Sequence, residues 1–191
     1  MTDRDFYQTV LQRDFGFFRQ LTAGLADEIV RERFDFALGD ASEGEILTHD
    51  LWRGVINAAV TNAERRLNRS IASFQFALEG PPQRCDAVPT TGTLRLVLDD
   101  AALARKVGAA RAYPELKQEV EDTIAAYGED AFRLEAFSSA NGQTAKGESQ
   151  MPRYERHGEE LVGAGIYTQP VRYSDHVAPI LSELERWGRV A

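Results

Sequence analysis

Between Gly39 and Asp50 the chain reads Gly-Asp-Ala-Ser-Glu-Gly-Glu-Ile-Leu-Thr-His-Asp, which places Asp40, Glu43, Glu45 and Asp50 around His49. An imidazole can ligate a metal or accept a proton, and a carboxylate on its second nitrogen fixes its orientation. Asp50 or Glu45 is placed to play that orienting part, and Glu43 or Asp40 to line the site as an acid. The same acidic residues also serve as ordinary caps and dipole partners at a helix start. A zinc site needs at least three protein ligands, so one histidine with scattered acids is a candidate ligand and not a finished site.

The other two histidines read differently. His157 lies in Tyr154-Glu155-Arg156-His157-Gly158-Glu159-Glu160, a polar segment that suits a surface position. His176 follows Arg172-Tyr173-Ser174-Asp175 in a first helical turn, where it can bond locally or face a pocket. Cys85 sits in a Pro-containing loop with no histidine close in sequence, which gives a nucleophile little support. The chain has no Gly-x-Gly-x-x-Gly and no Gly-Lys-Ser/Thr, so a phosphate-cradling loop is not indicated.

The elements that must position these groups follow from periodicity. Phe17, Leu21, Leu25 and Ile29 recur every four residues and predict a helix over roughly 14–33. Phe34, Phe36 and Leu38 alternate as a short strand would, closed by Gly39-Asp40. Thr48 is the expected N-cap of a second helix carrying Leu51, Val55, Ala59, Ala63 and Leu67 inward and ending near Asn68. The chemistry-bearing stretch thus falls between a strand's C-terminal end and a helix's N-terminus, where open α/β sheets bind ligands. A first-turn histidine there meets the positive end of the helix dipole, which suits the neutral imidazole that a metal needs.

Strands are expected over Ile71–Leu78 and Leu94–Leu98. A helix capped by Asp99-Asp100 carries Leu103, Val107 and Ala110, and Pro114 opens another with Leu116, Val120 and Ile124. Residues 138–152 read as a mobile surface loop. The tail closes with a helix capped by Ser174 and burying Val177, Ile180, Leu181, Leu184 and Trp187. One domain is expected over 1–191, with an N-terminal helical segment (1–33), an α/β core (34–137), the loop and a helical tail (153–191).

Composition limits the partners. The protein has 191 residues, 43% of them hydrophobic and 27% charged, with 22 Lys+Arg against 30 Asp+Glu and a net charge of −8. An acidic chain without a basic run is a poor ligand for phosphate backbones, so nucleic acid is not an expected partner. The single cysteine excludes an intrachain disulfide. No apolar run approaches the length of a membrane span, and the start lacks a signal-peptide pattern, so a cytoplasmic location is expected.

Two stretches resemble the bacterial PIG-L/LmbE-type deacetylase family. One runs Arg153-Tyr154-Glu155-Arg156-His157-Gly158-Glu159-Glu160-Leu161-Val162-Gly163-Ala164-Gly165-Ile166-Tyr167 and continues at Val171-Arg172-Tyr173-Ser174-Asp175-His176. The other is Asp40-Ala41-Ser42-Glu43-Gly44 through Thr48-His49-Asp50-Leu51. The resemblance implies a partial Rossmann-like three-layer α/β fold with several helices and a small mixed sheet. It also implies zinc and hydrolysis of an N-acetyl group from an amino-sugar conjugate. His49 would be the metal ligand, Asp50 and Glu43 the acids of catalysis, and Arg172 and His176 substrate contacts. The family takes its first ligands and its base from a His-Pro-Asp-Asp motif that this sequence does not contain. The chain is therefore expected either to complete its site with a companion chain or a second copy, or to be a non-catalytic binding or assembly protein of that fold.

Overall fold

The computed structural model describes residues 2–78, 93–140 and 151–190. Cys85 and residues 141–150 of the expected surface loop lie outside the described residues. The fold is α/β, with four strands that hydrogen-bond as one mixed sheet in the order β1-β2-β4-β3. The chain divides into two compact units, Met1–Phe74 with Ala140–Ala191, and Gln75–Ser139.

The first unit is built around one long helix. α1 (Asp3–Leu11) starts on a reciprocal cap between Thr2 and Asp5. α2 (Phe15–Glu32) is capped by Asp14, whose carboxylate accepts from Phe17 N at 3.0 Å, and ends on Arg33 with φ 55°. β1 (Phe36–Asp40) then leads through a short loop to α3 (Leu47–Leu67), which ends on Asn68 with φ 49°. β2 (Ala72–Phe76) follows, so β1–α3–β2 is a crossover unit. α6 (Arg153–Gly163) and α7 (Ala178–Val190) complete the unit.

α3 holds the core because it is apolar on two sides. Leu51, Val55 and Ala58 pack with Val10, Phe18, Val171, Val177, Ile180 and Leu184. Ile56, Ala59, Val60 and Ala63 pack with Ala26, Ile29 and Ile71. Small residues allow close approach of α7. A Cβ at Gly188 would lie 2.8 Å from the carbonyl oxygen of Ala58, and one at Gly54 would collide with Leu181.

In the second unit β3 (Leu94–Val97) pairs antiparallel with β4 (Leu134–Ser139), with Leu94 opposite Phe137 and Val97 opposite Leu134. Phe76 meets Phe137 edge-on, with ring centroids 6.5 Å apart. α4 (Asp100–Ala112) starts on Asp99, which accepts from Ala102 N at 2.7 Å, and is followed by α5 (Lys117–Tyr127). Arg133 ties the 3-10 turn before β4 to Asp130 and Asp100 at 2.7 and 2.9 Å.

Several expected boundaries move. β4 was not anticipated, and it takes Ser138 and Ser139 from the expected loop. Its Leu-Glu-Ala-Phe-Ser-Ser run alternates weakly, and its pairing with neighbouring strands supplies what the pattern lacks. α5 begins at Lys117, because Tyr113–Leu116 forms a turn in which Pro114 sits. Ser174 does not cap the last helix; Tyr173–Val177 is a π-turn entering α7, and the Ser174 hydroxyl bonds Asp175. Thr48 does not cap α3, which starts from Ile46 without a side-chain cap.

Gly188→Ala is expected to destabilise the chain by about 1–3 kcal/mol in urea unfolding, because the methyl must displace the α3 backbone. Gly24→Ala, where a Cβ meets nothing within 4 Å, is expected to stabilise it by roughly 0.5–1 kcal/mol through helix propensity.

Candidate functional site

The 41–46 loop brings the acidic stretch onto the first turn of α3, and two of its carboxylates take different parts. Asp40 ends β1 and turns its Oδ2 to His49 Nδ1 at 2.5 Å. Both side chains keep partial exposure, 21% for Asp40 and 33% for His49. A carboxylate accepts, so Nδ1 carries the hydrogen of this contact, and in the neutral tautomer that this selects Nε2 is the lone-pair nitrogen. The orienting residue is therefore Asp40, and the expected choice of Asp50 or Glu45 is corrected.

Asp50 faces the other way. It is 4% exposed, and its Oδ1 accepts from the backbone N–H groups of Glu43 at 3.0 Å and Gly44 at 3.2 Å. Ser42 adds a side-chain hydrogen bond. In a short loop feeding a helix these half-buried amides need an acceptor, and Asp50 supplies it and closes the turn. Burial pushes its carboxyl above the ordinary range, against the pull of the N–H groups. Glu43 contributes its backbone N–H to that turn. Glu45 pairs with Arg153 at 3.2 Å.

Two residues that sequence reasoning passed over complete the surroundings. Arg53, one turn beyond His49 and 4% exposed, donates from Nε to the carbonyl oxygen of Asp40 at 2.7 Å. Loss of water lowers its affinity for a proton, to a value of about 10, while nearby Asp40 opposes the shift. Its spacing from His49 was a usable signal, since i and i+4 share a helix face. Tyr154, on the first turn of α6, has a buried hydroxyl without a hydrogen-bond partner among the described residues. Burial, followed by the nearby Asp50, Tyr173 and Glu155, pushes its phenol far up, so it stays a neutral O–H. α6 reaches the loop through its backbone, with Arg153 N donating to Gly44 O at 2.7 Å.

Arg172 and His176 are occupied in holding the tail. Arg172 pairs with Glu159 at 2.8 Å and Glu155 at 3.3 Å, while its backbone N–H donates to His176 Nδ1 at 2.9 Å. Glu155 also accepts from Tyr173 N at 2.8 Å. These bonds fasten the π-turn to α6, and among the described residues none reaches the Asp40–His49 pair. His157 is exposed and lies 3.5 Å from Glu160.

Among the described residues no three His, Cys, Asp or Glu side chains are grouped to hold a metal ion. Among the described residues of this stretch His49 is the imidazole oriented by a carboxylate, and one such ligand does not by itself fit a zinc ion. Comparison of the chain with family models, curated proteins and solved structures finds no significant match.

A carboxyl raised by the fold binds its proton more tightly folded than unfolded. The Asp50 contribution to stability is therefore most favourable at low pH and declines as pH rises from the unfolded value of 3.8 through the raised folded value. Asp50→Asn keeps an acceptor for the two amides and removes the buried charge. Its urea midpoint is expected to gain on the parent chain between about pH 4 and pH 7, whereas Asp50→Ala loses about 1–3 kcal/mol at either pH. Tyr154→Phe removes the unpartnered hydroxyl and should raise stability by about 1 kcal/mol in the same assay.

Proposed function

We propose that the first unit carries one part of the site of an amide hydrolase, a PIG-L/LmbE-related N-deacetylase chain acting in the cytoplasm on an amino-sugar conjugate. His49 is its working group. The observation that supports this reading is the Asp40–His49 pair, in which a carboxylate holds Nδ1 and Nε2 has no hydrogen-bond partner among the described residues. That is the arrangement of a histidine set to ligate a metal through Nε2, its orientation supplied by an outer carboxylate. Amide hydrolysis needs a polarised carbonyl, an activated water and a proton for the departing amine, and zinc supplies the first two in deacetylases of this type. The further ligands such an ion requires would come from outside the described residues. Asp50 and Glu43 belong in this reading to the loop that holds His49 in place, and Arg172 and His176 to the frame beneath it.

A second reading, a binding or assembly protein of the same descent, draws on a different observation. Phe36 and Leu38 on β1 are 63% and 43% exposed, and Phe34 just before it is 47% exposed; β1 ends the strand order. Soluble proteins rarely leave such a strand uncovered. Among the described residues no helix is long and apolar enough to cross a membrane.

Zinc titration and hydrolysis of N-acetylglucosaminides by the purified chain, alone and with candidate companion chains, separate the two. The hydrolase reading expects zinc binding that His49→Ala abolishes and Asp40→Asn weakens by roughly 10–100-fold. Absence of zinc binding and of hydrolysis in every combination, together with self-association that Phe36→Ser disrupts, would establish the second reading instead.

A further inference from the structure

We propose that Arg53 is a positioning residue for His49, acting through Asp40. The inference rests on reading His49 as the working group. α3 grips Asp40 at two points from one face: His49 holds the carboxylate at 2.5 Å, and Arg53, four residues on, donates to the carbonyl oxygen at 2.7 Å. The carboxylate can keep Nδ1 in one orientation only if its own backbone is fixed, and Asp40 is the last residue of its strand. Arg53 supplies the fixed point there.

The surroundings fit a dedicated clamp. Arg53 is 4% exposed, its guanidinium makes a long contact of 3.5 Å to Asn57 Oδ1, and its buried Nη2 has no hydrogen-bond partner among the described residues. A buried cation so sparsely paired is a poor stabilising device, and an apolar side chain of similar volume commonly serves stability as well or better. Gly39 makes room for it: a Cβ at that position would collide with Arg53 Nη2 and Ile56 Cδ1. The residue before Asp40 is thus small where the guanidinium crosses the strand. Both features are explained when the function of Arg53 is the bond to Asp40.

The test reads the imidazole itself. The ring nitrogens of His49 are followed by 15N NMR in the parent chain, in Arg53→Met, which fills the space without a donor, and in Gly39→Ala, which pushes the guanidinium off the strand. Spectra are taken at a pH high enough to deprotonate the imidazolium in all three chains, where the parent is expected to show the Nδ1–H tautomer with well-separated nitrogen shifts. Both variants are expected to draw the two shifts together as the tautomers average, while retaining a cooperative thermal melt. A merely structural Arg53 would change the melting temperature and leave the His49 shifts where they were, which would overturn the proposal. If Arg53→Met does not melt cooperatively, the Gly39→Ala spectrum decides by the same criterion. These shifts are recorded without metal, so failure of zinc binding and hydrolysis in every combination of chains contradicts the hydrolase reading and leaves this result to stand or fall separately.

Discussion

The organisation of the first unit depends on how the end of β1 is tied to the start of α3. Asp40 is bonded through its carboxylate to His49 and through its carbonyl to Arg53, so strand and helix meet at one residue. The loop between them is then short of partners for its amides, and Asp50 supplies them from inside the helix. Both demands fall on the first two turns of α3. The same helix goes on to provide apolar surface to both core clusters, so the polar clamp at its start and the packing along its length fix one position between them.

This division of labour explains why four neighbouring acids are not equivalent. Asp40 and Asp50 lie ten residues apart in sequence and flank the same histidine, yet one keeps partial exposure and the other is buried. Exposure leaves Asp40 able to pair with an imidazole that itself reaches solvent. Burial commits Asp50 to the backbone, where a carboxylate satisfies two amides at once. Glu45 is drawn outward to Arg153 as α6 settles on the loop. The outcome is a single imidazole aimed by its surroundings.

Much of this frame was legible in the sequence. The four-residue repeat of Phe17, Leu21, Leu25 and Ile29 marked α2, the inward run from Leu51 to Leu67 marked α3, and Asn68 marked its end. The stretch that holds the site was also legible, since a histidine among acids between a strand and a helix is a local pattern. What could not be read was which acid faces which partner. Asp50 is adjacent to His49 in sequence, but successive residues on a helix point about a quarter-turn apart, so adjacency favours different targets. Asp40 meets His49 only because the loop folds back. Arg153 and Tyr154 arrive from a segment more than a hundred residues away, and β4 depends on pairing that no local alternation announces.

Asp40 holds Nδ1 of His49, and Nε2 has no hydrogen-bond partner among the described residues. A long-range 1H–15N correlation spectrum of the His49 ring in the unmodified chain tests it most directly. A neutral imidazole with its hydrogen on Nδ1 is the predicted result. A ring protonated at Nε2 instead would contradict it, because the nitrogen reserved for ligand or proton would already be occupied.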